Sequence, residues 1–201
     1  MRKFLLPVVT GAFVALSGAA FADTSISAVT DLNVRAGPGP QFPVVGVLNT
    51  GEQAMLKGCL PNSKWCAIDE AGGQGWVYSD YVMADFSGNR VVLTQRPVDA
   101  GIAVVDPPAD VGNFSGASSG ELLPGEPVTG FEQPSTEVRT YIRSNQPEPV
   151  YLDGEVVSGA VLPESVELRE IPDYNYRYVY VNGQPALIDP ETRRVVYVVR
   201  Q

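Results

Sequence analysis

The side chains that most hydrolases use for catalysis are scarce in this sequence. Its 201 residues include two cysteines, Cys59 and Cys66, and no histidine. Without histidine, neither a Ser-His-Asp triad nor a Cys-His pair can form, and most zinc hydrolase sites are excluded as well. The chemistry that remains is pairing of the two thiols, acid-base work by carboxylates, and recognition of a ligand by aromatic and charged side chains.

Paired carboxylates are one route to catalysis, because glycoside cleavage needs two acids held several Å apart in a groove. Asp69 and Glu70 are adjacent, and Asp189 lies near Glu191, but both pairs fall where solvated loops are expected. Neither segment is large enough to enclose a substrate cleft of usual size. We therefore predict that the protein is not an enzyme and that it uses no cofactor and no metal.

The two cysteines flank a turn-like tip in the run GCLPNSKWCAI. Folded as a hairpin, this run places Leu60 opposite Trp65 and Cys59 opposite Cys66. In an oxidising compartment we expect a disulfide, for which the chain-entropy estimate is about 2–3 kcal/mol because the closed loop is short. The alternative is a pair of buried free thiols.

Aromatic residues are concentrated in one short region, which contains Phe42, Trp65, Trp76, Tyr78 and Tyr81. A core position is the usual role of a large apolar ring. Rings that remain at the mouth of a small barrel would instead form a shallow groove suited to an extended peptide or a glycan strand.

Arg35 precedes a loop with many glycines and prolines, in the stretch LNVRAGPGPQFPVVGVL. The glycines supply conformational freedom and the prolines stiffen the path of the chain. Arg35 either ties down this loop by hydrogen bonds to its carbonyls or binds the carboxylate of a ligand. For the second alternative we predict a ligand site near the loop, formed by Arg35, Phe42, Trp76 and Tyr81.

The N-terminal stretch has the parts of a secretory signal peptide. Arg2 and Lys3 precede an apolar run, and small residues lead to an A-x-A site that ends at Ala22. We predict cleavage between Ala22 and Asp23, so that residues 1–22 are removed and the mature chain is periplasmic or secreted. A membrane anchor is the alternative, but glycines and a serine interrupt the run, so no stable membrane insertion is expected.

The negative net charge of the chain disfavours binding to nucleic acid and to anionic lipid surfaces. The net charge of −9 becomes −11 once Arg2 and Lys3 are lost with the predicted leader. An acidic chain is repelled by nucleic acid and by anionic lipid surfaces. We therefore expect no nucleic-acid partner.

The region 23–84 alternates short apolar runs with clusters of Gly, Pro, Asn and Asp, which is typical of a small β-barrel or sandwich. Residues 85–135 are predicted to be a flexible, disordered linker that is acidic and rich in proline and glycine. The strand-like stretch 89–94 either extends the barrel or begins this linker. Two apolar patches, Ile102–Val105 and Leu122–Leu123, could pack transiently against another part of the protein, but the sequence does not indicate which part.

Residues 136–201 are predicted to form a small helix-plus-meander domain. Val138, Tyr141 and Ile142 have helical spacing, and proline follows shortly. Tyrosines then recur at every second position from 174 to 180, and Asn-Gly at 182–183 is a strong signal for a two-residue hairpin turn. The tyrosine stripe either covers the helix or stays exposed for a partner.

Several blocks of the N-terminal region together resemble the bacterial SH3 domain, a small barrel of exported proteins. They are LNVRAGPG at 32–39, GWV at 75–77 and SDYV at 79–82, and the resemblance covers residues 24–83. It implies that the Gly-Pro-Gly run is a loop of the barrel and that GWV is a late strand.

The C-terminal region resembles an uncharacterised domain family of bacterial envelope proteins. The blocks that carry this resemblance are GAVLP at 159–163, VYVNG at 179–183 and VV at 195–196. It implies an architecture and a compartment but no mechanism.

We therefore expect a mainly β envelope protein in which an SH3-like barrel is joined by the linker to a small α+β domain. The barrel would bind cell-wall peptide, that is peptidoglycan, or a protein partner. The alternative is an envelope assembly or interaction factor that acts through its tyrosine-rich C-terminal domain, with the terminal VVYVV strand as a pairing edge and the barrel as scaffold.

Overall fold

The structure is a computed structural model that describes residues 24–70, 72–108 and 120–200. Within these ranges the protein is mainly β, with twelve strands and one α-helix. The predicted fold class is confirmed in this respect. The predicted signal peptide and its cleavage site between Ala22 and Asp23 lie outside the described residues and stay predictions.

The first eight strands form one antiparallel sheet that curls into the SH3-like barrel. They are β1 (Thr24–Ala28), β2 (Leu32–Arg35), β3 (Val44–Leu48), β4 (Gln53–Cys59), β5 (Trp65–Glu70), β6 (Gly73–Tyr78), β7 (Val82–Phe86) and β8 (Asn89–Val92). Their order in the sheet is β3-β2-β6-β5-β4-β1-β7-β8. Alternate side chains fill the interior, as the two-residue period of a strand requires. In β4, for example, Ala54 and Leu56 are buried whereas Met55 and Lys57 are exposed.

The glycine- and proline-rich loop connects β2 to β3 and is held by its own backbone. The Ala36 amide donates to the Pro43 carbonyl at 3.0 Å, and the Phe42 amide donates to the Gly39 carbonyl at 3.2 Å. The ring of Phe42 covers Gly37 so closely that a Cβ on Gly37 would lie 2.5 Å from a ring carbon. Glycine is needed here because no side chain fits under the ring.

The predicted disulfide hairpin is confirmed. Cys59 of β4 is the partner of Cys66 in β5, and the Leu60 amide donates to the Trp65 carbonyl at 3.0 Å. The two sulfurs are bonded. The alternative of two free thiols is therefore wrong.

The region predicted as a linker contains more regular structure than expected. Strand β8 pairs with β7, and a 3-10 turn follows at Leu93–Gln95, so the stretch 89–94 extends the barrel. Further along, Ile102 and Val105 pack against the core, and Leu122 is buried. The abundance of proline and glycine predicted that the entropy cost of ordering this region would keep it disordered. Burial of these apolar side chains offsets that cost. Residues 109–119 lie outside the described residues.

The C-terminal domain has the predicted helix and meander. Helix α1 (Thr136–Ser144) is preceded by its N-cap residue Ser135, whose hydroxyl accepts a hydrogen bond from the Val138 amide. Strands β9 (Arg169–Glu170), β10 (Arg177–Val181), β11 (Gln184–Ile188) and β12 (Val195–Val198) form a sheet in the order β12-β11-β10-β9. The turn between β10 and β11 is Asn182-Gly183, with φ of 53° and 76°.

No helix in the described ranges combines the length and the apolar character that a membrane crossing requires.

The tyrosine stripe mainly supports the helix. Tyr178 and Tyr180 are buried beneath α1, and their hydroxyls donate to the carbonyls of Asn145 and Ile142 at 2.6 and 3.3 Å. These bonds satisfy carbonyls at the helix C-terminus that have no partner within the helix. Tyr174 and Tyr176 are only half-buried.

The terminal strand β12 is an edge of the sheet, but the Val195 amide is already bonded to the Ala160 carbonyl at 2.8 Å.

The barrel and the C-terminal domain share one continuous hydrophobic core. Leu152, Val156 and Val157 of the C-terminal part belong to the same buried cluster as Leu32 and Trp76 of the barrel. A core that crosses a domain boundary makes independent motion of the two parts unfavourable, because separation would expose these side chains to water. The two regions therefore form one folded unit.

Candidate functional site

Arg35 lies where the barrel meets the C-terminal domain, and it is buried together with Glu155. Their side chains are 1% and 0% exposed. Nε and Nη2 of Arg35 donate to the two carboxylate oxygens of Glu155, the second at 2.7 Å. Nη1 donates to the carbonyls of Pro40 and Phe42 at 2.8 and 2.7 Å. Each guanidinium nitrogen thus has an acceptor, and the same side chain braces the loop and joins the two domains.

Amide side chains lie around this ion pair, of which Asn33 and Asn182 are buried and Gln184 is half-buried. Asn33 Nδ2 donates to Glu155 Oε1 at 2.9 Å and to Gln184 Oε1 at 2.8 Å. Asn182 Oδ1 accepts from the Leu152 amide at 2.9 Å. Buried polar groups are costly unless they are hydrogen-bonded, so this network strongly prefers one placement of the C-terminal domain on the barrel.

Three of the four predicted ligand-site residues lie inside the fold. Arg35, Trp76 and Tyr81 are 1%, 5% and 4% exposed, whereas Phe42 is half-buried. Burial, reinforced by the charge of Asp80, raises the pKa of the Tyr81 hydroxyl. That these three residues border a ligand stays a prediction, and their burial leaves little of their surface for a ligand to contact. The structure supports the brace alternative for Arg35 and the core alternative for Trp76 and Tyr81.

An open groove of about 1280 Å³ begins at the same loop. Six parts of the chain line it: the loop at 38–41, the disulfide hairpin tip at 59–65, the end of β6 at 78–79, several residues between 94 and 104, residue 121, and the C-terminal domain at 151, 153 and 154. The groove therefore lies between the two domains. The sequence predicts a shallow aromatic groove at the barrel mouth, but no pattern in it assigns one wall of that groove to the C-terminal domain.

Aromatic rings and one lysine line the barrel side of the groove. The rings of Trp65 and Tyr78 meet edge to face with centroids 5.3 Å apart. Lys64 Nζ lies 5.6 Å from the centre of the Tyr78 ring and 2.9 Å from Asp80 Oδ2. The hydrogen bond to Asp80 raises the pKa of Lys64, and burial raises the pKa of Tyr78 to about 12. At neutral pH the groove therefore presents an ammonium group and a neutral phenol.

Residues 102–105, named the strap here, form one wall. The Cys59 amide donates to the Ala103 carbonyl at 2.9 Å, and the Val105 amide donates to the Cys59 carbonyl at 3.1 Å. The strap thus pairs with the end of β4 as a short parallel strand. It crosses directly above Gly58, where a Cβ would lie 2.6 Å from the Ala103 oxygen. The side chain of Val104 is 72% exposed.

Residues 150–153 form the opposing wall and are held from two sides. The Val150 amide donates to the Tyr180 carbonyl of β10 at 2.8 Å. The Asp153 amide donates to the Gly120 carbonyl at 2.9 Å. Tyr151 stands between these anchors with 38% of its surface exposed, so its ring is presented on a fixed backbone.

The carboxylates weighed as catalytic acids lie outside this groove. Asp69 is ion-paired with Lys57 at 3.1 Å on the barrel surface, and partial burial raises the pKa of Glu70. In the ranges that the structure describes, no three His, Cys, Asp or Glu side chains are grouped as a metal site would require. The features that line the groove are those of a binding surface: aromatic faces, main-chain groups and a few charges.

Glu155, Gln184 and Tyr151 were not identified as functional residues from the sequence. Glu155 stands in DGEVV, a stretch without helical or strand periodicity, and Gln184 follows a turn signal. A glutamate next to apolar residues is a weak signal of a buried ion pair, and it does not name the partner.

Comparison with known proteins identifies two parts of the chain. Residues 30–83 match the family described as the bacterial SH3 domain, and residues 141–200 match a domain of unknown function, DUF1236. The chain is also 32% identical over 85 residues to the Bacillus subtilis (strain 168) protein named "Putative N-acetylmuramoyl-L-alanine amidase YrvJ". That alignment covers 42% of this chain and 16% of the relative. No solved structure matches.

Neither family description names a catalytic activity. The order of the two matched regions agrees with the architecture that the sequence resemblance implied. The match to the bacterial SH3 domain at 30–83 is therefore followed along the chain by the match to DUF1236 at 141–200.

Proposed function

We propose that this protein is an exported, non-catalytic binding protein that attaches to cell-wall peptide through its bacterial SH3 domain. The observation that carries the proposal is the match of this barrel to a protein named as an N-acetylmuramoyl-L-alanine amidase, whose name refers to a bond between a wall sugar and its peptide. The chain spans only 16% of that relative, so the amidase activity is not carried over.

The groove supports a role in peptide binding. The exposed ring of Tyr151 offers aromatic surface, the strap offers main-chain groups, and Lys64 offers a charge. Trp65 and Tyr78 are each only 6% exposed, so they support the floor of the groove. An extended peptide is recognised by this combination of backbone pairing and side-chain contacts. The ligand would lie next to the loop at 38–41, close to the place predicted from the sequence, but it would contact the exposed rim instead of Arg35.

The same features favour binding without catalysis. The sequence has no histidine, and its two cysteines are bonded to each other. The groove therefore lacks the Cys-His and Ser-His pairs that many peptide-cleaving enzymes use.

Sedimentation with purified peptidoglycan tests this proposal. Residues 23–201 are mixed with peptidoglycan sacculi at low, physiological and high salt, and the pellet and supernatant are compared. We expect the protein in the pellet at physiological salt. The proposal is wrong if the protein stays in the supernatant at every salt concentration while an established wall-binding barrel sediments under the same conditions.

A further inference from the structure

The strap carries an unused strand edge within the groove. Val104 is the parallel bridge partner of Cys59, and the bonds of that bridge use the Ala103 carbonyl and the Val105 amide. In a parallel pair, the residue opposite the bonded one directs its own amide and carbonyl away from its partner strand. The amide and carbonyl of Val104 therefore face away from β4, and no partner for them is present among the described residues.

The C-terminal domain supplies the wall of the groove that faces this strand edge. Tyr151 and Asp153 line the same groove as Val104. Their segment is fixed to β10 on one side and to residues 120–122 on the other. The buried Arg35–Glu155 pair holds the whole domain against the barrel. A preorganised wall of this kind lowers the entropy cost of ordering a site around its ligand.

We propose that the groove is a composite peptide site in which an extended peptide pairs with the main chain of Val104 and contacts Tyr151. This inference rests on the proposed function for the identity of the ligand, a wall peptide, and it adds that the DUF1236 domain supplies part of the site. One extended residue of the ligand, running antiparallel to the strap, is enough to satisfy both main-chain groups of Val104, because its own amide and carbonyl point to the same side. Backbone pairing supplies affinity that does not depend on ligand side chains, whereas the ring of Tyr151 supplies a contact surface.

Two substitutions test the composite site. Val104→Pro removes the amide donor, and Val104→Ala keeps it while shortening the side chain. Tyr151→Ala removes the ring from the opposing wall. The matched control is Met55→Ala, because Met55 is 37% exposed, nearly the same as Tyr151, but lies on β4 outside the groove.

The experiment measures binding of soluble muropeptides, released from purified peptidoglycan, to residues 23–201 by calorimetry. We expect Val104→Pro to weaken binding about three- to tenfold, the net worth of a hydrogen bond, and Tyr151→Ala to weaken it about tenfold. Val104→Ala keeps the amide donor, so it should weaken binding less than Val104→Pro does, and Met55→Ala should bind within about twofold of the wild type. All four variants should keep the wild-type melting temperature within a few degrees.

The outcomes separate the two proposals. If the wild type binds muropeptides and neither Val104→Pro nor Tyr151→Ala weakens binding, the composite site is wrong and the proposed function stands. If the wild type binds neither muropeptides nor sacculi, both are wrong. Should Val104→Pro unfold the chain, Tyr151→Ala alone decides, because its ring is exposed and its loss leaves the core intact.

Discussion

The ion pair between Arg35 and Glu155 is the residue-scale feature on which the arrangement of the two domains depends most. Both side chains are almost fully buried, so each charge relies on the other and on nearby carbonyls for the interactions that water would otherwise provide. Arg35 also bonds to two carbonyls of its own loop. A lysine could not replace it, because an ammonium group cannot form the forked contact with a carboxylate.

Replacing one partner of this pair should be far more costly than breaking an exposed pair. Glu155→Gln leaves the Arg35 charge buried without a counterion, and we expect a loss of about 3–5 kcal/mol in the free energy of unfolding, measured by urea denaturation. The control is Lys57→Met, which breaks the exposed pair with Asp69 and should cost less than about 1 kcal/mol.

Removing both buried charges gives a second check on the same interpretation. The double variant Arg35→Met with Glu155→Leu leaves no unpaired charge inside, so it should regain part of the stability that Glu155→Gln loses. If Glu155→Gln and Lys57→Met have equally small effects, the buried pair does not hold the domains together.

Tyr78 should make the fold sensitive to alkaline pH. Burial raises its pKa to about 12 in the folded chain, whereas an exposed tyrosine has a pKa of about 10. Between these values the unfolded chain loses the proton and the folded chain keeps it, so the free energy of unfolding falls as the pH rises. This contribution is complete below about pH 10 and amounts to on the order of 2 kcal/mol.

The measurement is the melting temperature at pH 9 and pH 11 for the wild type and for Tyr78→Phe. The wild type should show the larger drop, while the variant keeps a smaller one because burial also raises the pKa of Tyr81. An equal drop in both proteins would mean that Tyr78 ionises as readily in the folded chain as in the unfolded one.

At the scale of elements, the disulfide hairpin has two roles. Cys59 is bonded to Cys66 seven residues later, and the backbone of Cys59 also anchors the strap. The hairpin tip and the strap both line the groove. Loss of the disulfide should therefore affect stability and also the order of the groove wall.

Reduction of the disulfide should lower the free energy of unfolding by about 2–3 kcal/mol, as expected from closure of a short loop. Denaturation curves with and without dithiothreitol measure this loss. Amide hydrogen exchange at Val105 should become faster, since its acceptor is the Cys59 carbonyl. The double variant Cys59→Ser with Cys66→Ser should match the reduced wild type and show no response to dithiothreitol, and any remaining response would point to another target of the reagent.

The elements that could be predicted from the sequence are those with local signals. The Cys59 hairpin, the Asn182-Gly183 turn and the helix at Val138–Ile142 each depend on residues within a few positions of one another. Their physical causes are visible in a short window. The brace role of Arg35 was also among the stated alternatives, because a loop backbone must find hydrogen-bond partners.

At the scale of the whole molecule, the features that were not predicted depend on distant residues. Arg35 and Glu155 are 120 positions apart, and Asn33 and Gln184 are 151 positions apart. Composition suggested a disordered connection between the domains, but a few apolar side chains such as Leu122 and Val105 are enough to dock parts of it. The C-terminal wall of the groove follows from this docking, so no local pattern could have indicated it.

Nuclear magnetic resonance mapping of the ligand site tests the central claim most directly. Soluble muropeptides are titrated into isotope-labelled residues 23–201, and amide shifts are followed. We predict saturable shifts at Lys64, Val104 and Tyr151, with Val45 unchanged because it is exposed on β3 away from the groove. Absence of shifts at millimolar ligand, or shifts confined to Tyr174 and Tyr176 of the C-terminal domain, would contradict a wall-peptide site in the groove.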